Sequence, residues 1–454
     1  LDDALHARLD ALSREQQRLL ELVAVAAQPY PALVLARALG IEEAALHTLA
    51  IPLLASGLLR RRGDSDLACF HDRVRAVATQ RVRPASERAL RAALARALAS
   101  HPGAAQADIA RHFDAAGLPM EALAAYQQAG DRALSALAFQ DAAHHFGRAL
   151  ELAVTTQAEP SVLTTLRVHR GHALARGGYS AQAAQEYLDA CEHAEPSQRV
   201  ALRVWATQHL LQSAQVEAGL KAARELLAEL GAPLPKSEGA ALAPIVWGRV
   251  CLGLRGLELP KRKANISVAE LAKLDAQWNL AAPLTWIDLF LGATLSVRHL
   301  RGSLATGNQR HVARALIAEA GVAALQRPDA PERANVLFAR ARGLYDAEQE
   351  PALEAWFLSN VASAAKFRWE LASACENLER AELLLRVGCS DDPWLLSHVR
   401  SLLASSWWDA GRLGAHLNTL DRWLEEASAR ADRFATTSLE TMGMYSMRFL
   451  LRDV

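Results

Sequence analysis

The chain lacks most of what would commit it to a chemistry. It has five cysteines in 454 residues, at positions 69, 191, 251, 375 and 389, scattered and without a CxxC pair. That pattern reads as buried thiols in a reducing cytosol, not as a disulfide framework. It has no excess of either charge: 50 Lys plus Arg balance 50 Asp plus Glu. Nothing global therefore steers it towards nucleic acid or an acidic membrane. No G-x-x-x-x-G-K-[ST] loop is present to cradle a phosphate, and no G-x-S-x-G elbow, H-E-x-x-H helix or kinase H-R-D signature. The expectation is a chain that is not an enzyme by itself, with no catalytic residues, metal or cofactor of its own. A signal peptide is missing too, and the sequence opens at Leu1 instead of Met. It is expected to be a piece of a longer, cytoplasmic protein.

One apolar run needs a membrane check. Leu280 to Val297 carries a single charge, Asp288, together with Pro283 and Thr285. An Asp at mid-membrane costs about 2.5 to 3.5 kcal/mol on insertion scales, so the run reads as a buried helix of a soluble protein. No membrane partner is expected.

What the sequence does contain is a repeat. Gly130, Ala142, Phe146 and Ala149 recur type for type as Gly171, Ala183, Tyr187 and Ala190, each displaced by 41 residues (171 minus 130). Small residues at helical spacing let two helices approach closely. The aromatic is expected to fill the gap between neighbouring hairpins. One hairpin cannot bury its apolar face alone, so such units stack into a solenoid. The pattern resembles the tetratricopeptide repeat, with Tyr126 and Ala129 at further signature positions of the first copy and Leu174 and Gly178 of the second. The usual period is about 34 residues, and the extra ones are placed in the polar connection Thr155 to Ser161.

The fold class read from this is all-α: a tetratricopeptide-like helical-hairpin solenoid with a small N-terminal winged-helix domain. Residues 1–82 form the winged helix. Its helices are expected over Leu5–Leu12, Glu15–Ala27, Tyr30–Leu39 and Glu42–Ala55, with two short strands around a Gly-Asp-Ser-Asp turn. A helical linker covers 83–116 and tetratricopeptide-like repeats 117–235, where Gly219 takes the Ala position of a third unit. An irregular helical insertion covers 236–302, with a helix over Ala240–Leu259 and the basic Lys261-Arg262-Lys263. Degenerate repeats fill 303–454, turning at Gly307 and Gly411 before helices over Arg310–Ala323 and Gly414–Arg430. All ten tryptophans lie after residue 200 and read as core residues at helical spacing.

The remaining polar motifs have structural readings. His144 and His145 are adjacent, which turns their rings about 100° apart on a helix and argues against a shared metal. Asp391 and Asp392 precede Pro393 and read as a helix cap. The helix that would enter a DNA groove, Ile41 to Ala50, opens with Glu42 and Glu43 and contains no Lys or Arg. Only Arg60-Arg61-Arg62 on the wing is basic, a weak patch for phosphate.

A winged helix ending in Phe70-His71-Asp72-Arg73-Val74-Arg75, then Arg/Ala helices, then repeats, resembles the C-terminal half of bacterial STAND-class signalling ATPases, in particular those preceded by a Ser/Thr protein kinase domain. The segment Ala107 to Leu152 and the stretch Glu270 to Arg301, with Asp275, Trp278 and Arg298-His299, are similar to that class as well. The resemblance implies that His71 and Asp72 sense a nucleotide phosphate, and only with the upstream ATPase. ATP or ADP and Mg would belong to the parent protein. It further implies a regulatory and sensory scaffold that binds a protein or small-molecule effector on the repeat surface and couples it to upstream ATPase and kinase domains. The alternative is a DNA-binding transcriptional regulator using the winged helix, with the repeats as effector domain.

Overall fold

Local sequence signals start and stop the first helices. In the computed structural model, which describes residues 2–63, 65–213, 215–258, 265–387, 392–429 and 432–443, α1 (Asp2–Asp10) precedes α2 (Arg14–Ala26). Ser13 Oγ accepts from Gln16 N–H at 3.2 Å while the Gln16 side chain accepts from Ser13 N–H at 3.0 Å, a reciprocal cap. Strand β1 (Tyr30–Pro31), α3 (Ala32–Leu39), α4 (Glu43–Ala55), β2 (Leu59–Arg62) and β3 (Asp66–Cys69) follow. Gly40 ends α3 at φ 72, the left-handed cap its lack of Cβ permits. The strands form one antiparallel sheet in the order β1-β3-β2, with Tyr30 and Arg61 both opposite Leu67.

The expected helix Tyr30–Leu39 is corrected here. Its first two residues are strand, because a residue before proline is pushed out of helical geometry and Tyr30 finds a sheet partner. Tyr30 is buried, and its hydroxyl lies 3.0 Å from His112 Nε2. Leu19, Leu22, Leu35, Leu46, Leu53 and Leu58 fill the core beneath.

Next come α5 (Asp72–Arg81), α6 (Pro84–Ala99), α7 (Gln106–Ala115), α8 (Pro119–Ser135), α9 (Phe139–Thr155) and α10 (Pro160–Arg176). The chain divides within α10 into two compact units, Leu1–Leu166 and Arg167–Val454. The second contains α11 (Ser180–Cys191), α12 (Pro196–Gln212), α13 (Val216–Glu229), α14 (Glu238–Arg255), α15 (Val268–Ile287), α16 (Leu289–Thr306) and α17 (Gln309–Gln326). It continues through α18 (Glu332–Arg342), α19 (Pro351–Phe367), α20 (Leu371–Val387), α21 (Pro393–Asp409), α22 (Leu413–Ala429) and α23 (Arg433–Thr441). The described residues thus form an all-α, tetratricopeptide-like array of helical hairpins with one small sheet.

The repeat is visible in the element boundaries. Helices α8 and α10 start at 119 and 160, and α9 and α11 at 139 and 180, each pair 41 apart. The aromatic packs within its own hairpin as well as between hairpins, Tyr187 also meeting Trp205 and His209 of α12 at 5.5 and 5.8 Å. Phe146 on α9 lies against Gly130 on α8 of its own hairpin, and Tyr187 on α11 lies against Gly171 on α10 in the same way. A glycine with no Cβ lets the ring touch the facing backbone. The extra residues sit elsewhere: Thr155 closes α9 and Pro160 opens α10, so the connection is only 156–159. They lengthen helices, since α9 has 17 residues and α11 has 12. Proline at the first helical turn costs no hydrogen bond, which is why the Pro-bearing stretch could join a helix.

The apolar run Leu280–Val297 is two helices, not one. Asp288 ends α15 and starts α16, its carboxylate accepting from Phe290 N–H at 2.9 Å and Leu291 N–H at 3.1 Å. The lone charge is a helix cap. Among the described residues no single helix is long and apolar enough to cross a membrane. The helices expected over Arg310–Ala323 and Ala240–Leu259 run instead over α17 and α14, and Lys261–Lys263 lie outside the described residues. The four described cysteines are unpaired, with Cys375 buried and the others half-buried; Cys389 lies outside the described residues.

Candidate functional site

His71 stands at the junction of sheet and helix. It is the N-cap of α5, and its Nδ1 accepts from Arg73 N–H at 3.1 Å. Accepting at Nδ1 leaves the ring's proton on Nε2, an unbonded donor on an exposed residue. Asp72 is turned to solvent and pairs with Arg75 at 3.2 Å. The two residues are adjacent at the start of α5 but do different things: His71 closes a backbone donor, and Asp72 balances an arginine one turn on. A phosphate oxygen suits the free Nε2–H of His71. The carboxylate of Asp72 is placed to hold the start of α5 through Arg75.

A second site is a cavity of about 580 Å³ between α20, α21 and α22. Each helix contributes side chains at helical spacing, so one face of each looks inwards. Arg400 of α21 forms the floor with only 6% of its side chain exposed. Its Nε and Nη2 donate to Glu382 Oε1 at 3.3 and 3.1 Å, and Nη1 donates to Glu426 Oε2 at 2.7 Å. Its guanidinium lies 4.9 Å over Trp423, which stacks on Trp407 at 5.6 Å. Trp407 Nε1 in turn donates to Glu379 at 2.9 Å. The buried charge is fully engaged, and such a network fixes geometry more than it adds stability. At the rim, Arg386 and Arg422 are 55% and 68% exposed and sit 3.3 and 4.0 Å from the same glutamates. The cavity thus has an engaged, buried floor and an exposed, charged rim.

Sequence reading did not find this cavity. One signal was available: Arg400 is the only Lys, Arg, Asp or Glu between Pro393 and Trp408. A lone arginine in the middle of a run with no other charge marks a buried charge that needs partners.

The stretch singled out for Asp275, Trp278 and His299 does come together, around α15, α16 and α17. His299 Nε2 and His311 Nδ1 are 3.0 Å apart, and His311 Nε2 stands 3.5 Å from Asp275 Oδ1. Trp278 lies 5.7 Å from His299. Arg298 instead donates to the carbonyls of Ala232 and Pro233 at 3.1 and 2.8 Å. Asp392 caps α21, accepting from Leu395 N–H at 2.9 Å, while Asp391 lies outside the described residues. His145 stacks on Tyr126 at 6.0 Å, a packing role. The reading of the tryptophans as core holds for Trp394, Trp407 and Trp423, which are buried. It fails for Trp247, Trp286 and Trp369, which are largely exposed, because helical spacing alone does not say which face is covered.

On the α4 surface the exposed or half-exposed side chains include Glu43, His47 and Ile51, with Glu43 3.7 Å from His47. Arg60, Arg61 and Arg62 are exposed on the edge strand β2.

No family model and no curated protein matches the chain. Among solved structures it is similar to a Signal Transduction ATPase with Numerous Domains (STAND) protein with a tetratricopeptide repeat sensor from Pyrococcus horikoshii. The identity is 11%, the match covers 100% of this chain and 62% of that one, and the TM-score is 0.39. The chain spans less than two thirds of the length of that protein.

Proposed function

We propose that this chain is the non-catalytic regulatory and sensory part of a bacterial STAND-class signalling ATPase joined to a Ser/Thr protein kinase. Residues 1–82 act as a winged-helix lid, with β2 and β3 as the wing and His71 at its exit. Its repeats receive a protein or small-molecule effector. The observation that carries this reading is the α20–α22 cavity, whose engaged Arg400 floor and open charged rim favour reversible binding over turnover.

His71 would hold a phosphate oxygen of ADP through Nε2–H in the closed state, and Asp72 would keep the start of α5 in place through Arg75. ADP and Mg²⁺ belong to the ATPase core. Effector binding would shift the balance from the closed to the open state by its differential affinity for the two.

The test uses the full-length protein. Thr419→Trp, on the cavity wall, fills the space and removes none of the partners of Arg400. ATP turnover of the wild type should rise on adding a fractionated extract of the host cell, while the filled variant keeps its basal rate and stops responding. An equal response from both would overturn the reading.

The exposed Arg60–Arg62 favours a second reading, a DNA-binding transcriptional regulator. The carboxylate of Glu43 at the start of α4 weighs against it, since phosphate and base contacts want donors there. Titration of duplex DNA over a salt series separates the two.

A further inference from the structure

Arg314 of α17 is a guanidinium with work left to do. Only 15% of its side chain is exposed, yet it makes no hydrogen bond to any described residue. Its ion-pair partner, Asp275 Oδ1, is 3.8 Å away, beyond hydrogen-bonding range. The guanidinium lies 5.1 Å from the centroid of Trp278, so the indole covers its flat face and leaves its in-plane N–H groups unspent. Donors shielded from water without acceptors are costly, and a bound group that accepts from them recovers that cost.

The neighbours define what could bind. Trp356 of α19 meets Trp278 edge-on at 5.8 Å, and its own Nε1 is buried without a partner. Burial, with Arg314 and Arg310 nearby, pushes His311 down to about 4, and burial, with His311 and Arg314 nearby, holds His299 well below its ordinary range, so both are uncharged at neutral pH. Arg310 is neutralised by Glu350, its Nε donating at 2.9 Å. What remains is one cation, Arg314, beside one half-exposed anion, Asp275, close but unbonded, next to two partly buried indoles. A simple anion would be repelled by Asp275 and a simple cation by Arg314. A zwitterion satisfies both.

We propose that Arg314, Asp275, Trp278 and Trp356 form a binding site for a free α-amino acid with an apolar side chain. Its carboxylate takes the N–H groups of Arg314, its ammonium takes Asp275, and its side chain lies on the indoles. This site is separate from the α20–α22 cavity and does not depend on the role given to it.

Calorimetric titration of the 454-residue chain tests this with L-phenylalanine, L-leucine, 3-phenylpropionate and phenethylamine. The amino acids should bind, and each single-charge analogue should bind at least about tenfold more weakly. Arg314→Met should weaken phenylalanine at least about tenfold without weakening phenethylamine, and Asp275→Asn should do so without weakening phenylpropionate. Because Arg314 gives up no hydrogen bond, its variant should keep the wild-type circular dichroism; should it fail to fold, the half-exposed Asp275 variant decides alone. No heat with either amino acid at millimolar concentration would overturn the proposal. So would phenylpropionate binding as tightly as phenylalanine, or an Asp275→Asn variant that binds phenylalanine like the wild type.

Discussion

A Cβ placed on Gly130 would lie 2.7 Å from Phe146 Cε1, and one on Gly171 would lie 2.7 Å from Tyr187 Cε1. The same spacing in two successive hairpins makes glycine a packing requirement, since neither residue sits in a left-handed turn.

Gly130→Ala gains about 1 kcal/mol of helix propensity but drives a methyl into the Phe146 ring. Overpacking of this kind costs about 1 to 3 kcal/mol, and Gly130→Leu or Gly171→Leu should cost more. Urea midpoints should fall with an unchanged slope. Unaltered midpoints for both leucine variants would mean that the helices do not meet at these glycines.

Two hairpin turns carry the opposite mismatch. Leu137 and Trp369 sit at φ 60 and 61 just past α8 and α19, where the corresponding turns after α10 and α21 use Gly178 and Gly411. Both side chains are exposed and bring little packing. The left-handed region costs a side-chain-bearing residue about 1 to 2 kcal/mol, against about 0.5 to 1 kcal/mol for glycine's extra freedom when unfolded. Trp369→Gly and Leu137→Gly should therefore raise the melting temperature slightly. A fall in both would show that these side chains hold the turns.

How much could be read from the sequence follows from what each signal encodes. The Gly40 stop, the β2–β3 ribbon and the Asp392 cap were legible because they depend on near neighbours in sequence, and the 41-residue repeat because its residue types recur at one fixed displacement. The strand at Tyr30 was missed because its partner Leu67 is remote in sequence. The extra repeat residues were placed in a loop because proline suggests a break, though at the first turn of α10 it fits a helix. The α20–α22 cavity was illegible apart from Arg400, since three separate helices build it. His71 and Asp72 were legible at the exit of the wing, where His71 caps α5.

Acid should destabilise the fold. Burial pulls His112, His209 and His398 down to about 4 from an ordinary 6.5. Between those values the unfolded chain binds more protons than the folded one, so stability is full above about 6.5 and falls as pH drops towards 4. Each group contributes at most about 1.4 kcal/mol per pH unit in that window. His209→Gln should flatten the fall. A melting temperature that is constant from pH 7 to pH 4.5 would contradict the assigned burial.

Arg400→Met should destabilise the second unit. It leaves the mostly buried Glu382 without its buried partner, and removing one partner of a buried pair costs about 3 to 5 kcal/mol, an upper figure here because Arg386 still faces Glu382. Adding Glu382→Gln and Glu426→Gln should recover part of that loss. If the single variant melts like the wild type, the network is not closed in solution.

The regulatory account is tested most directly by basal ATP turnover of full-length His71→Asn. Asparagine keeps an N-cap acceptor for α5, so the stability of residues 1–454 should change little, whereas His71→Ala should lose about 0.5 to 2 kcal/mol with the cap. Asparagine removes the Nε2–H proposed for phosphate. Losing an interaction of about 1.4 kcal/mol shifts the closed-to-open balance tenfold, so basal turnover should rise by up to about tenfold and ADP should bind correspondingly more weakly. Unchanged turnover and unchanged ADP affinity in a stably folded variant would contradict the account and leave His71 a helix cap.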